Sequence, residues 1–343
     1  RFGWGVVLGL LLLAAVNAVM SRTVLRPIGQ LARAVRHLEQ GRHGVQIDPI
    51  SGDELGVLAR RFNLMSQAIA EHLESNRREL ETASRVQSHL LPPPHFRIGG
   101  IEVAGRCLPM GAVGGDVYDV QPLAGDRAGV LVADLSGHNV AAALHTAMGR
   151  AVAWREAEVA RTPGEVLARL NDRLYRDLPE EQFATAFFGW FEGRSGRFVY
   201  ANAGHPSAYL AAPDGTLTEL PTTGPLLGII TEFPDGCDAV ALEPGSRLLV
   251  YTDGLTETSD PQGALWGVDD TVDVVRSART AGTPELVKTI LERMSDFRRG
   301  RPQQDDLTVM IASYEPEPYS EAGRSPSYAG ADGHPAPRYP DSP

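Results

Sequence analysis

Apolar, uncharged residues fill the start of the chain. Phe2 to Met20 contains no charged side chain and is dominated by Leu, Val, Ala and Gly. At about 1.5 Å per residue, a helix of this length would reach roughly 28 Å, close to the ~30 Å hydrocarbon core of a bilayer. A signal peptide and an unusually apolar core helix are the alternatives, but no small-residue cleavage site precedes a mature secreted sequence. The pattern predicts a transmembrane helix over residues 1–20.

Arginines follow this apolar segment. They are Arg22, Arg26, Arg33 and Arg36. Because the side of a span that carries Lys and Arg stays in the cytoplasm, we expect one pass through the cell membrane within this sequence, with the remainder cytoplasmic. The sequence begins with Arg1 rather than Met, so we expect an upstream portion, such as an extracytoplasmic sensor.

Two stretches after the span place apolar residues at three- and four-residue spacing. The first has Ile28, Leu31, Val35 and Leu38, and the second has Leu58, Phe62, Met65 and Ile69. This spacing predicts two short amphipathic helices that are joined by an extended loop and form a parallel helical pair, over residues 21–75. Such helices cannot bury their apolar stripes alone, so we expect a homodimer with a four-helix coiled coil. A solvated connector pair is the alternative interpretation.

The second helical pattern continues through Leu73 and Leu80 until Pro92-Pro93-Pro94 stops it. We therefore predict a coupling helix over residues 76–95. His89 lies in this stretch, where a sensor kinase would carry a phosphoaccepting histidine. No His-Glu-x-x-Arg-Thr-Pro pattern follows it and no glycine-rich ATP lid lies downstream, so we interpret His89 as a helix-surface residue.

Strand-like runs alternate with helical patterns beyond the coupling helix. Thr162-Pro163-Gly164-Glu165 is typical of a capped helix start, Thr283-Pro284 begins another helix, and an Ala-rich stretch from Val140 to Val152 predicts a third. Strands clustered around helices favour an α+β fold for residues 96–313. The tail, 314–343, is rich in Pro, Ser, Gly and Ala, which predicts disorder.

Composition excludes several kinds of site. The sequence has 43 Asp and Glu against 32 Lys and Arg, and it contains no basic run with interleaved aromatic residues, which argues against a nucleic-acid partner. Cys107 and Cys237 lack the spacing of a zinc site or of a disulfide framework.

Four aspartate-bearing turns stand beside the strand-like runs. Asp116 follows a Gly-Gly pair, Asp134 and Asp253 each end an apolar run, and Asp305 precedes another. Any one of these turns is more often structural, because Asp beside Gly is common turn chemistry. Several carboxylates brought together stay ionised only if cations lie among them, so the combination predicts one site for Mg²⁺ or Mn²⁺.

Five motifs follow one another in the region that carries these turns. They are Gly114-Gly115-Asp116-Val117-Tyr118-Asp119, Asp134-Leu135-Ser136-Gly137-His138, Asn202-Ala203-Gly204-His205-Pro206, Tyr251-Thr252-Asp253-Gly254-Leu255-Thr256-Glu257 and Asp305-Asp306-Leu307-Thr308. Their order resembles the bacterial serine/threonine phosphatases of the PP2C superfamily, in the SpoIIE-like branch of sporulation and stress-response regulators. The resemblance covers roughly residues 85–313.

The helical pair after the span resembles a HAMP signal-relay module. The residues that carry this resemblance are Pro27 at the start of the first helix, Asp53-Glu54-Leu55-Gly56 before the second, and Phe62-Asn63-x-Met65 within it.

The phosphatase resemblance implies a β-sandwich flanked by helices, with two divalent cations, Mn²⁺ or Mg²⁺, at one edge. It implies the ligands Asp116, Asp134, Asp253 and Asp305 with the backbone carbonyl of Leu135. Asp134 would bridge the cations, and a water activated by them would attack phosphorus in line. Asp119 and Asp306 would support the ligands. Histidine has a suitable pKa for protonating the leaving oxygen, which makes His138 and His205 candidates for that role.

These expectations combine into a membrane-anchored, dimeric, metal-dependent phosphatase that removes phosphate from phosphoserine or phosphothreonine on another protein. The resemblance suggests an anti-sigma-factor antagonist as that protein. A receptor-linked scaffold that keeps the fold with little or no catalysis is the alternative. A two-component sensor kinase is a third possibility, indicated only by the span and the relay module.

Overall fold

The chain divides into two units, which contain Arg1–Thr82 and Ala83–Pro343. The structure, a computed structural model, describes residues 2–48, 52–137, 139–193, 195–278 and 280–316. The predicted disordered tail therefore lies outside the described residues from residue 317 onward.

The first unit is helical. Helix α1 (Phe2–Met20) continues through a π-helical turn (Ser21–Leu25) into α2 (Arg26–Glu39), and α3 (Glu54–Ser88) follows after a loop. The end of α3, from Ala83 onward, belongs to the second unit. The side chains of α1 from Trp4 onward are exposed. By length and composition alone, the helical run Trp4–Glu39 is apolar enough to cross a membrane.

A small apolar core connects α2, the loop and α3. Ala34, Ile47, Ala59 and Phe62 are buried together. The side-chain amide of Asn63 fixes the loop, because it accepts a hydrogen bond from the Ile47 N–H and donates one to the Ile47 carbonyl, each 2.8 Å long. Both polar groups of the Ile47 backbone are therefore paired.

Exposed apolar residues remain on α3. Leu58, Met65, Leu73 and Leu80 are between 40% and 47% exposed. Their spacings of seven and eight residues put them on one face of the helix.

Two antiparallel sheets form the second unit. In chain order the strands are β1 (His95–Ile98), β2 (Ile101–Leu108), β3 (Asp116–Leu123), β4 (Arg127–Leu135), β5 (Ala184–Glu192), β6 (Arg197–Ala203), β7 (Ala208–Ala211), β8 (Leu217–Leu220), β9 (Asp238–Ala241), β10 (Arg247–Tyr251) and β11 (Leu307–Tyr314). One sheet has the order β1-β2-β11-β10-β7-β8 and the other has β3-β4-β5-β6-β9. Side chains from both sheets, among them Val103, Val130, Phe187 and Leu248, pack into one fully buried core.

Helices cover the outer face of each sheet. They are α4 (Val140–Ala157), α5 (Pro163–Asp177), α6 (Asp253–Thr256), α7 (Gly267–Ser277) and α8 (Thr283–Arg298). Helices α4 and α5 share a core with β4, β5 and β6, whereas α7 and α8 share one with β10 and β11. This α+β sandwich flanked by helices confirms the predicted fold class.

Local signals identified the helix starts correctly. Helix α5 begins at Pro163, and the Thr162 hydroxyl accepts a hydrogen bond from the Glu165 N–H at 3.2 Å. Helix α4 begins at Val140, where the Asn139 side chain accepts a bond from the Ala142 N–H at 2.9 Å. Both caps satisfy donors that the first turn of a helix leaves unpaired.

A buried carboxylate fastens α4 to β3. Asp119 forms an ion pair with Arg150 at 2.6 Å and accepts hydrogen bonds from the indole of Trp154 at 2.7 Å and the amide of Gln121 at 3.0 Å. Burial raises the pKa of Asp119, and the charge of Arg150 opposes that rise. Asp119 thus points toward α4 and holds this helix against the sheet.

We expect Asp119→Ala to destabilise the second unit by about 3–5 kcal/mol, because it leaves the half-buried Arg150 without its carboxylate. Urea unfolding of the full chain, followed by tryptophan fluorescence, measures the loss. Asp172→Ala is the control, since Asp172 is exposed on α5, and it should change stability by less than about 0.5 kcal/mol. Equal stabilities of the two variants would contradict the assigned role of Asp119.

Candidate functional site

The candidate site begins with two aspartates on neighbouring strands. Asp116 opens β3 and Asp134 lies one residue before the end of β4, and the strand register makes them direct cross-strand partners. Side chains in such a pair start about 5 Å apart. The fold therefore brings together two carboxylates that are 18 positions apart in the sequence.

Asp116 is held by two hydroxyl groups from the other sheet. Its Oδ2 accepts hydrogen bonds from Thr252 Oγ1 and Thr308 Oγ1, each 2.7 Å long. Thr252 follows β10 and Thr308 lies at the start of β11, so the bonds connect the ends of three strands. The Asp116 side chain is only 2% exposed, which leaves it little freedom to turn away.

Asp253 and Asp305 come from adjacent segments of the chain. Asp253 begins the short helix α6, and Asp305 lies two residues before β11. The segments are in close backbone contact, because a Cβ atom built on Gly254 would lie 1.8 Å from the carbonyl oxygen of Asp306. Only glycine at position 254 allows this approach.

Electrostatic interactions connect the four carboxylates, which we call the aspartate cluster. Burial and the negative charges of Asp253 and Asp305 raise the pKa of Asp134 to about 7. Burial and the charge of Asp134 raise the pKa of Asp116 well above its ordinary value, while burial and the charge of Asp305 raise the pKa of Asp253. The cluster therefore resists carrying its full negative charge unless positive charge is added.

The backbone of Leu135 contributes a carbonyl beside the cluster. The Leu135 N–H donates to the Gly115 carbonyl at 3.3 Å, and a Cβ atom on Gly115 would lie 2.2 Å from the Leu135 carbonyl oxygen. A side chain at position 115 would therefore displace this carbonyl. Glycine keeps the Leu135 oxygen next to the start of β3.

Asp306 fastens the loop in front of Asp116. Its carboxylate accepts a hydrogen bond from the Met110 N–H at 2.7 Å and another from the Gly115 N–H at 2.6 Å. From α4, the Thr146 hydroxyl donates to the Gly115 carbonyl at 2.7 Å. Asp306 thus acts on the cluster through the backbone of the loop.

The structure describes only one of the two histidines that were predicted as proton donors. His138 lies outside the described residues. His205 is buried, its Nδ1 lies 2.7 Å from Thr185 Oγ1, and burial lowers its pKa to about 3. The ring of His205 is therefore neutral at neutral pH.

The donor chemistry of the cluster fits hard divalent cations. Its candidate donors are carboxylate oxygens and one backbone carbonyl, which suit Mg²⁺ or Mn²⁺. Within the described ranges, no three acidic, histidine or cysteine side chains are spaced to hold one metal ion together. Mg²⁺ does not require such a triad, because it usually keeps several waters and takes only one or two carboxylates.

Sequence reasoning missed the contributions of Thr252, Thr308 and Thr146. The first two lie inside recognised motifs, beside Asp253 and two residues after Asp306. Their positions inside those motifs indicate a role for the two hydroxyl groups at the site. Thr146 lies within a helix and has no comparable signal.

Two family models match the sequence. The model described as Stage II sporulation protein E (SpoIIE) matches residues 124–315, and the model of the HAMP domain matches residues 19–71. The SpoIIE match covers more than half of the chain and includes Asp134, Asp253 and Asp305. Both matches confirm the resemblances read from the motifs.

Curated relatives align with large parts of the chain. Protein IcfG of Synechocystis sp. is 27% identical over an alignment of 325 residues, which covers 84% of this chain and 51% of IcfG. Phosphoserine phosphatase RsbU of Bacillus subtilis is 26% identical over 237 residues, which are 68% of this chain and 69% of RsbU. The chain thus spans about half the length of IcfG.

A solved structure shares the fold. The SiaA-PP2C domain of Pseudomonas aeruginosa has a TM-score of 0.63 and 23% identity, and the match covers 71% of this chain and 99% of that domain. The likeness supports the assignment of the helix-flanked sandwich. The match to the SpoIIE model shows that the chain belongs to the SpoIIE family, and the match to the HAMP model shows a HAMP domain ahead of its PP2C-type domain.

Proposed function

We propose that this chain is a metal-dependent phosphatase that removes phosphate from serine or threonine side chains of another protein. The observation that carries the proposal is the cluster of Asp116, Asp134, Asp253 and Asp305 at one edge of a SpoIIE-family domain. The raised pKa values of Asp116, Asp134 and Asp253 indicate a cluster that favours bound cations. The name of the relative RsbU, a phosphoserine phosphatase, supports the same reaction class.

The proposed roles follow from how each group is held. Asp116 is fixed by two hydroxyl groups, so it offers a ligand of constant orientation. Asp134 is the proposed bridging ligand because it interacts with Asp116, Asp253 and Asp305. Two cations, Mn²⁺ or Mg²⁺, would lower the pKa of the attacking water and neutralise the phosphate charge. The Leu135 carbonyl is the proposed neutral ligand.

The leaving oxygen of the substrate needs a proton. Of the two histidines considered, we retain His138 as the proposed donor. His205 is buried and neutral, and its Nδ1 is paired with Thr185, so we no longer propose it for this role.

We propose an anti-sigma-factor antagonist as the substrate protein. The support is the ordered set of motifs shared with the stress-response regulators of this family. Removing phosphate from a side chain of another protein requires a catalytic site that this protein can reach at the edge of the sandwich. Asp305 is exposed at this edge.

We further propose that the chain is anchored in the cell membrane through residues 2–20 and dimerises through its HAMP domain and α3. An apolar, exposed α1 followed by Arg22 and Arg26 supports the anchor with a cytoplasmic second unit. The exposed stripe on α3 supports the dimer, because a helix in water seldom leaves such a stripe uncovered.

We expect Asp253→Asn to lower Mn²⁺-dependent phosphate release by more than about 100-fold, since losing even the outer partner of a metal ligand costs about 10–100-fold. The assay uses the full chain in detergent micelles with a phosphoserine protein as substrate. Asp172→Asn removes the same charge at an exposed position of α5 and should retain wild-type activity. Adding EDTA should abolish release, and Mn²⁺ should restore it.

A wild-type chain that releases no phosphate with Mn²⁺, Mg²⁺ or candidate partner proteins would contradict the proposal. That result would favour the scaffold interpretation. Activity that persists in Asp253→Asn would instead remove Asp253 from the proposed site.

Thr308→Val should raise the Mn²⁺ concentration for half-maximal activity by about 10–100-fold, because a carboxylate that loses its orienting hydrogen bond binds metal less well. The substitution preserves the shape of the side chain. Thr289→Val on α8 is the matched control, since the Thr289 hydroxyl donates to the Glu285 carbonyl of its own helix. Identical Mn²⁺ titrations of both variants would show that the hydroxyl on Asp116 has no such role.

Leu73→Glu combined with Leu80→Glu should convert the dimer into a monomer, because it adds negative charges to the stripe predicted to meet its counterpart. Sedimentation of the full chain in detergent, with the micelle mass matched out, measures the state. Ser75→Glu, on the opposite side of α3, should leave the dimer intact. A wild-type chain that sediments as a monomer would refute the dimer.

A further inference from the structure

The last turn of α3 is hydrogen-bonded to the loop in front of the aspartate cluster. The Gln87 side chain donates from Nε2 to the Gly114 carbonyl at 2.6 Å and accepts from the Gly114 N–H at Oε1, 3.1 Å away. One amide thus pairs with both polar groups of one residue. Such a two-point contact fixes orientation as well as distance.

A second contact orients this end of α3. Ser84 and Gln87 are half-buried, whereas Val86 is 61% exposed, so one face of the turn lies against the rest of the second unit. Just beyond the helix, Leu91 packs against the core between the two sheets. Gln87 therefore reaches Gly114 from a helix end that is anchored within the same unit.

The contact is close to a proposed metal ligand. Gly114 is followed by Gly115 and Asp116, and neither glycine has a side chain that could fix the loop. The Gly115 N–H donates to Asp306, and the Gly115 carbonyl accepts from Leu135 and Thr146. Every backbone polar group of the two glycines is therefore paired, and Gln87 supplies both partners of the first.

The glycines make this pairing necessary. A Cβ atom on Gly114 would lie 2.5 Å from Asp306 Oδ2, so a larger residue cannot anchor the loop at that point. Without Gln87, the Gly114 amide and carbonyl would have to find water, and the segment leading into Asp116 would be fixed from Gly115 onward only. The start of β3 would then sample more positions.

We propose that Gln87 is a positioning residue for the metal site, which holds Gly114 so that Asp116 keeps the place it needs beside Asp134. This inference rests on the proposed function, in which both aspartates bind cations. Gln87 touches neither substrate nor cation. Its effect is on cation affinity, through the position of the loop.

The test compares Gln87→Met with Gln67→Met in the full chain. Methionine matches glutamine in length and forms neither hydrogen bond. Gln67 lies on the same helix and its amide donates to Glu71 at the exposed surface, so it controls for the substitution itself. Gln87→Glu is a third variant, since its carboxylate can accept from the Gly114 N–H but repels the Gly114 carbonyl.

Mn²⁺ binding is measured directly by the electron paramagnetic resonance signal of free Mn²⁺, without any assay of activity. We expect Q87M to weaken binding by about 5- to 30-fold, the change that two hydrogen bonds of ordinary net strength would produce. Q87E, which loses only the bond to the Gly114 carbonyl, should weaken binding less than Q87M. Q67M should bind as the wild type does. Hydrogen exchange at Gly114 and Gly115 should accelerate in Q87M while exchange in α4 and β5 stays unchanged.

Unchanged Mn²⁺ affinity in Q87M would overturn the inference, as would accelerated exchange across the whole second unit, which would indicate a merely structural role. Failure of the proposed function would give a different experimental result. In that case the wild type releases no phosphate, while the comparison of Mn²⁺ binding still decides the role of Gln87.

Discussion

Repulsion among carboxylates at one edge of the sandwich is the constraint on which the organisation of the second unit depends. Burial strengthens this repulsion, as the raised pKa values of Asp116, Asp134 and Asp253 show. The strand register sets Asp116 opposite Asp134 despite this repulsion, and the fold stabilises Asp116 with two threonine hydroxyl groups and pairs every backbone polar group of Gly114 and Gly115. Well-packed cores on both sides of each sheet make this edge rigid.

Much of the fold was predictable because its signals are local. The helix starts at Pro163 and Thr283 are marked by residues within one turn, and apolar runs marked β4 and β10. Strand β3 was not predicted as a strand, since Asp116 and Asp119 are buried charges that hide its apolar pattern. The order of the strands was also beyond the sequence pattern, because pairs such as β2 with β11 join residues about 200 positions apart.

The acidic residues of the site were predictable from the sequence, but the groups that form hydrogen bonds with them were not. An aspartate at the end of an apolar run is visible in a sequence, whereas the bond from Thr308 to Asp116 spans 192 positions and leaves no periodicity. The burial of His205 also depends on tertiary packing, so the sequence did not reveal that this candidate proton donor is a buried, neutral ring. Gln87 lies in the predicted coupling helix, yet nothing local indicated that its amide binds Gly114.

The position of β11 has a consequence for how the protein is made. This strand is near the C-terminal end of the described residues, yet it lies in the middle of its sheet, between β2 and β10. It also brings Thr308 to Asp116 and follows directly after Asp305 and Asp306. A chain emerging from the ribosome therefore lacks a central strand and part of the acidic cluster until almost the whole second unit has been translated. During synthesis, nearly 300 residues separate the end of helix α1 from the strand that completes the acidic cluster.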